Sequence, residues 1–203
     1  MIFGPYETGD GRATRRWRTT RRIVGLLILL AIPIVGCWIY RSEVQALLWH
    51  ASHRSQTMLG GHLVSVPKRW WKITPDDVAA AVISRVPARR DPLSAEVMAT
   101  PFAESTVESD AELREFQQRF VDFANSGKYH EEGAGIEGPA TYSTIVLQTA
   151  HFPLYCIRAE TTTSRPTSTV RIICSSVEEK WKYSYLGSAQ SEKEALGILA
   201  SLH

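Results

Sequence analysis

The chain has 203 residues, and its 44% hydrophobic and 22% charged content is typical of a folded protein and not of a disordered one. Its 23 basic and 21 acidic side chains leave a formal net charge of +2, so no overall basic field favours nucleic acid as a partner. Three cysteines are too few for a disulfide-dense scaffold, and the spacing of cysteine and histidine predicts neither a metal site nor a bound cofactor.

A long apolar run follows the basic head of the chain, residues 1–22. Residues 23–40 carry no charge and, as a helix, extend about 27 Å, which matches the hydrocarbon thickness of a bilayer. Trp17 precedes the run, and Trp38 and Tyr40 end it, as expected of aromatic rings at the two interfaces. A buried core helix is the alternative, but such a helix seldom lacks a polar face over this length. We therefore predict a single transmembrane helix at residues 23–40.

Five arginines lie just before this run, at positions 15, 16, 18, 21 and 22, whereas mixed charge follows it. Because positively charged flanks stay in the cytoplasm, we predict a cytoplasmic N-terminus, a span in the plasma (inner) membrane and a periplasmic or extracellular C-terminal domain. The lack of a small-x-small cleavage motif favours an uncleaved signal-anchor. An alternative stays open, because Ile34–Cys37 resembles a lipobox and would make the chain a lipoprotein lipidated at Cys37.

Residues 41–57 place apolar side chains at helical spacing, which predicts that the span continues as a helical stalk. Gly60 and Gly61 end this stalk, so we assign residues 41–60 to it and residues 61–203 to an extracytoplasmic domain.

The next segments favour strands. Residues 62–73 predict two strands with a turn at residues 67–69, because β-branched and aromatic residues surround a proline that cannot lie mid-strand. Residues 74–86 leave helix and strand open, since Thr74 and the proline after it suit a helix start whereas residues 81–86 suit a strand. Residues 93–102 predict another strand after proline-rich turns.

The clearest helix signal lies at residues 110–125. Ser109 and Glu112 have capping-box spacing, and an apolar stripe follows that we interpret as core packing against a sheet. The stripe consists of Leu113, Phe116, Phe120, Phe123 and Ala124. Residues 131–140 form a glycine-rich loop without the spacing of a phosphate-binding motif.

A strand meander and a final helix complete the chain. The predicted strands cover residues 142–149, 152–160, 169–177 and 181–186. Ser191 and Glu194 form a second capping-box pattern that opens the last helix. The element order predicts the α+β class, an antiparallel sheet with helices packed on it.

Cys156 and Cys174 lie on the second and third strands of this meander. A hairpin centred on Arg165 places them directly opposite, with Cβ atoms about 4.5–5.5 Å apart, so modest closing permits a disulfide. Because the predicted compartment is oxidising, we predict the Cys156–Cys174 bond. The alternative is two small apolar core residues, and a register shift of one residue would put them on opposite faces.

Residues 62–202 resemble the family of PsbP proteins, the yeast Mog1 protein and their bacterial relatives. The motifs that carry the resemblance are Val66-Pro67-Lys68-Arg69-Trp70, in which Arg69 replaces the usual glycine, and Tyr185-Leu186-Gly187 before the last helix. The resemblance implies a binding or assembly subunit and not a catalyst.

Cations and aromatic rings alternate in one segment, which consists of Lys68, Arg69, Trp70, Trp71 and Lys72. One interpretation is an interface with anionic lipid or a protein partner. The interpretation that we favour is a strand with Trp70 or Trp71 in the core and the lysines in water.

Histidines are the candidates for metal binding and for acid–base catalysis. His50, His53 and His62 could approach one another, but a Gly-Gly break separates His62, and solvated or interfacial roles are favoured over zinc. His130 beside Glu131 resembles an acid–base group, although adjacent loop charges are usually only solvated.

We therefore expect a membrane-anchored extracytoplasmic domain that binds or scaffolds an envelope protein or other ligand without catalysis. The alternative is an envelope hydrolase or metal-dependent enzyme that uses His130 or His50 and His53.

Overall fold

The computed structural model describes residues 24–27, 29, 31–36, 40–74, 80–87, 94–102, 107–129, 139–161 and 168–203. The chain divides into two compact units, Met1–Val44 and Gln45–His203. In the described part of the chain, no single helix is long and apolar enough to cross a membrane. Only the helical segment Val24–Gly36 taken together with the bent continuation Arg41–His53 has the length and composition to do so. The transmembrane helix thus stays a prediction.

A seven-stranded antiparallel sheet dominates the second unit, with strand order β3-β4-β5-β9-β8-β7-β6. A separate hairpin, β1-β2, three α-helices and a π-helical turn at Ala124–Lys128 join the sheet in the residues described from Arg41 onward, so the α+β class is confirmed. The helices are α1 (Arg41–His53), α2 (Asp110–Phe123) and α3 (Ala189–Ala200). The strands are β1 (Gln56–Leu59), β2 (His62–Ser65), β3 (Trp70–Lys72), β4 (Ala81–Arg85), β5 (Ala95–Pro101), β6 (Ala140–Gln148), β7 (Pro153–Thr161), β8 (Thr169–Ser175) and β9 (Trp181–Ser188).

The helical stalk expected up to residue 57 is shorter than predicted. Helix α1 ends at His53, and β1 follows directly, with Leu59 fully buried. Gly60 and Gly61 have positive φ and form the hairpin turn to β2. A Cβ on Gly60 would lie 3.0 Å from the rings of Trp181 and Tyr183 on β9. Helical spacing in the sequence missed this strand, because its burial against the sheet, and not its local pattern, decides its conformation.

Two other regions differ in detail from expectation. The ambiguous residues 74–86 contain strand β4 at Ala81–Arg85, whereas residues 75–79 lie outside the described part of the chain. The glycine-rich loop falls almost wholly on residues 130–138, which also lie outside it.

One face of the sheet carries the main core, covered by α3. Cys156 and Cys174 lie directly opposite on β7 and β8 and form a disulfide, with Cα atoms 4.0 Å apart and both residues fully buried. The prediction of this bond is therefore confirmed. Tyr183 and Tyr185 of β9 are also fully buried on this face.

The prediction of a second capping box at Ser191 and Glu194 is wrong. Strand β9 continues to Ser188, whose hydroxyl accepts a hydrogen bond from the Ser191 amide and caps α3. Ser191 is buried in the first turn, where its hydroxyl lies 2.8 Å from that of Tyr185. Glu194 accepts hydrogen bonds from Trp70 and Arg85 instead, so its role is tertiary and not a helix cap.

The opposite face of the sheet is covered only in part, because α2 packs mainly on β6 and β7. The cap is confirmed at Ser109, whose hydroxyl accepts from the Glu112 amide, while the Glu112 carboxylate accepts from the Glu108 amide. The predicted burial of the phenylalanines is wrong for two of them: Phe116 is 55% exposed and Phe123 is 49% exposed.

A polar contact lies at the centre of the α2 face that meets the sheet. The buried side-chain amide of Gln117 donates to the main-chain oxygen of Tyr155 at 2.9 Å. The buried side of α2 is centred on Leu113, Gln117 and Val121. Phe116 therefore lies beside the contact and faces the uncovered part of the sheet.

Candidate binding groove

A groove of about 580 Å³ lies between α2 and the part of the sheet that α2 leaves uncovered. We call it the α2 groove. The residues that line it come from α2, from strands β6 to β9 and from the segments that flank α2. Its volume falls within the range of about 300–1,000 Å³ that is usual for small-molecule sites.

The floor of the α2 groove is apolar. Ile157 and Ile173 are direct cross-strand partners on β7 and β8, and Ala159 is the next residue on the same face of β7. Both isoleucines are only partly buried, with Ile157 packed at the edge of the small cluster that α2 forms with the sheet. The floor thus presents branched apolar side chains to whatever enters the groove.

Aromatic rings form the wall that faces this floor. Phe116 and Phe120 project from α2 into the lining, and Tyr129 follows the helix. The ring of Tyr129 packs edge-on against Phe120 at 5.1 Å and against Tyr142 at 5.8 Å between centroids. Edge-to-face packing of this kind holds the rings in place without filling the groove.

The charged side chains among the described lining residues are mostly positive. Arg119, Arg171 and Lys182 contribute three cations, and Glu112 is the carboxylate in that part of the lining. Arg119 is paired with Glu115 at 3.8 Å, but both side chains are about 70% exposed, so this pair is weak. Lys182 makes no ion pair in the part of the chain that the structure describes, and it lies half-exposed at the groove.

Polar contacts between α2 and Tyr155 of β7 fix the position of α2 on the sheet. Beside the Gln117 bond, the Arg114 guanidinium donates to the Tyr155 hydroxyl at 2.9 Å and lies 4.8 Å from the centre of that ring. The groove therefore belongs to the folded domain and does not require a ligand to create it.

A second charged cluster lies on the other face of the sheet. Arg158 donates two hydrogen bonds to Glu192 of α3, at 2.6 and 2.9 Å, and forms an ion pair with Glu160 at 2.8 Å. The pKa of Glu160 is lowered by its hydrogen bond with Arg158 and by a second one from the Ser168 hydroxyl. The hydrogen bond to Glu192 raises the pKa of Arg158. The carboxylates of Glu160 and Glu192 both bind the Arg158 guanidinium, so this cluster joins α3 to the sheet.

The predicted cation–aromatic segment is divided between core and surface. Trp70 is fully buried and donates its indole N–H to Glu194 at 2.8 Å, as expected if one tryptophan entered the core. Lys72 is only 7% exposed, so the expectation that the lysines lie in water is wrong there. Lys68 and Arg69 are exposed and Trp71 is half-buried, and an interface at these residues stays a prediction.

The candidate histidines have separate structural partners. His50 hydrogen-bonds the Ser55 hydroxyl and the Pro67 main-chain oxygen, and His53 stacks on the Trp49 ring at 4.8 Å. His62 lies 3.0 Å from the Glu179 carboxylate. Among the described residues, no three histidine, cysteine or acidic side chains are grouped as metal ligands, and His130 lies outside this part of the chain.

The sequence reasoning did not predict the groove, although one signal for it was present. A helix that bore Phe116, Phe120 and Phe123 together with Leu113 and Val121 has more apolar area than one sheet contact can cover.

No protein-family model and no curated protein matches the chain.

Proposed function

We propose that this chain is a membrane-anchored extracytoplasmic binding protein and that the α2 groove is its binding site. The observation that carries the proposal is the aromatic wall above an uncovered apolar floor, with Phe116 55% exposed. Exposed apolar surface of this kind, rimmed by polar residues, is typical of ligand grooves and interaction sites.

The polar groups of the groove suit recognition. Its lining combines cations with the hydroxyls of Ser175 and Ser176, whereas His50, His53 and His62 are bonded elsewhere in the fold. No observation in the described residues favours the alternative of an envelope hydrolase.

The anchor and the compartment rest on separate support. The uncharged run at residues 23–40 and the arginines before it favour an inner-membrane anchor with the domain outside. The Cys156–Cys174 disulfide agrees with an oxidising compartment, because such bonds persist outside the cytosol.

Two measurements test the anchor. Protease added to intact spheroplasts should digest the domain from residue 60 onward, and full protection would contradict the proposed orientation. The mass of the purified chain should include residues 1–22, whereas a mature form that begins with a lipidated Cys37 would establish the lipoprotein alternative.

The groove is tested by what co-purifies with the full-length chain. Wild type, Phe116→Ala and the matched control Phe123→Ala should be isolated from membranes, extracted with organic solvent and compared by mass spectrometry. Phe123 has similar exposure on the same helix but does not line the groove. We expect a component that accompanies wild type and Phe123→Ala and is depleted from Phe116→Ala. Equal extracts from all three proteins would contradict the groove as binding site.

A further inference from the structure

We propose that the ligand of the α2 groove is a single-chain amphipathic anion, an acyl chain that ends in a carboxylate or phosphate. Its apolar chain would lie along the Ile173 floor, and its anionic end would meet Lys182. This inference rests on the proposed binding function and specifies the ligand's chemistry.

The shape of the apolar surface fits an extended chain. Arg171, Ile173 and Ser175 lie in a row on one face of β8, so the floor runs roughly 13 Å from Arg171 to Ser175 at about 3.3 Å per residue. Phe116 and Phe120 line the groove from the helix side. Ile173 and the two rings present apolar surface between these polar ends, and a linear hydrocarbon would remove that surface from water.

The charge around this surface favours an anion. Lys182 of β9 lies beside the Ser175 end of the floor and forms no ion pair among the described residues, and the Ser175 hydroxyl lines the groove next to it. Arg171 adds positive charge, as does Arg119 with its weak pair to Glu115, whereas Glu112, the carboxylate among the described lining residues, already accepts from the Glu108 amide. The charges of the described lining therefore favour an anionic end over a cationic one.

A peptide is a poorer occupant, for a reason of topology. Strands β8 and β9 each pair with a neighbour on both sides, so their main-chain groups are already hydrogen-bonded. Strand β6 is an edge strand, but where it lines the groove the main-chain groups of Tyr142 are hydrogen-bonded to the Asn125 side chain. The described lining thus offers little free strand edge to an extended peptide, which would need such main-chain bonds. An acyl chain needs none.

Photolabelling of the full-length chain tests the proposal. The protein is placed in nanodiscs of phosphatidylcholine and irradiated with a diazirine-bearing palmitate, and the labelled peptides are mapped by mass spectrometry. We expect labels on α2 and β8 in addition to lipid-exposed segments. Excess palmitate and excess lysophosphatidate should both suppress the groove labels, whereas hexadecanol and hexadecylamine should not.

Matched variants separate the chain contact from the charge contact. Lys182→Gln should weaken palmitate labelling of the groove roughly tenfold, the effect of one lost hydrogen bond to a charged group. Lys193→Gln, on an exposed site of α3, is its control and should label as wild type. Phe116→Ala should reduce the labels of any acyl probe, and Phe123→Ala should not.

Each outcome has a separate meaning. Suppression by hexadecanol and hexadecylamine as strong as by palmitate would overturn the anionic ligand while it leaves a groove that binds acyl chains. Suppression by palmitate alone or by lysophosphatidate alone would assign the headgroup to one source, a free carboxylate or a lipid phosphate. Absence of groove labels would overturn this inference, while depletion of another component from Phe116→Ala extracts would still support the binding function.

Discussion

The Cys156–Cys174 disulfide should contribute about 3 kcal/mol to the free energy of unfolding. The two cysteines are 18 residues apart, and closing a loop of that size in the unfolded chain removes about 3 kcal/mol of conformational entropy on the chain-entropy model. Because both residues are fully buried, the reduced thiols would stay packed in the folded state. Reduction therefore isolates the effect of the cross-link from any loss of packing.

The assay is urea unfolding of the full-length chain, followed by tryptophan fluorescence, to which the buried Trp70 and the half-buried Trp181 contribute. The protein is unfolded with or without reductant and then brought to equilibrium, since a fully buried disulfide reacts only after unfolding. Without reductant the free energy of unfolding should be about 3 kcal/mol higher, which corresponds to roughly 6–12 °C in the thermal midpoint for a domain of this size.

The control is the double variant Cys156→Ala/Cys174→Ala, which keeps Cys37. Its stability should not respond to reductant, and it should lie at or below that of the reduced wild type because two buried sulfur atoms are lost. Equal stability of oxidised and reduced wild type would refute the loop-closure argument. Two free thiols at these positions in protein purified without reductant would refute the bond itself.

Three further outcomes follow from the contacts of single side chains. Tyr183→Phe should leave stability unchanged or raise it by about 1 kcal/mol, because its buried hydroxyl has no hydrogen-bond partner in the described structure, whereas Tyr185→Phe should lower it by about 1–2 kcal/mol. Phe116→Ala should lower the free energy of unfolding by less than about 0.5 kcal/mol, because its ring is exposed. Leu113→Ala should lower it by about 2–4 kcal/mol, because Leu113 is buried. Stability should fall in acid as the pH drops from about 4.3 through the lowered pKa of Glu160, and Glu160→Gln should flatten this dependence.

Urea unfolding measures all three, and each has a contrary result. A loss of more than about 1 kcal/mol in Tyr183→Phe would reveal a partner for that hydroxyl. A large loss in Phe116→Ala would mean that the ring is buried and that the groove wall is core. The folded carboxylate of Glu160 has a lowered pKa, so its stabilisation is complete above the unfolded value and declines below it. An unchanged acid profile in Glu160→Gln would exclude that carboxylate as the cause.

The strand meander shows how much local pattern can specify. Strands β6 to β9 lie where alternation and turn residues predict them, and the Cys156–Cys174 register follows from counting along one hairpin. Hairpin pairing is a local property, because the turn fixes which residues face each other.

Helix α2 shows where the same reasoning stops. Its limits and its Ser109 cap follow from neighbouring residues, but its orientation does not. Phe116 and Phe123 belong to an apolar stripe on the sequence, and yet the buried side is centred on Leu113, Gln117 and Val121, where Gln117 bonds to Tyr155, 38 residues away. Strand β1 and the capping of α3 by Ser188 were also missed. The Ser188 cap is itself a local contact, but β9 reaches Ser188 through its pairing with Thr169 of β8, and β1 is held by the burial of Leu59 in the main core.

The sequence by itself thus determined the α+β class, most strand positions, the disulfide and the expectation of an anchor, because these depend on composition and on spacing along the chain. Only the tertiary structure decided which side of α2 faces the sheet and that, among the described residues, α2 covers one sheet face only in part. The α2 groove arises from that incomplete coverage, and coverage is a property of how separate elements pack together, which no single segment encodes.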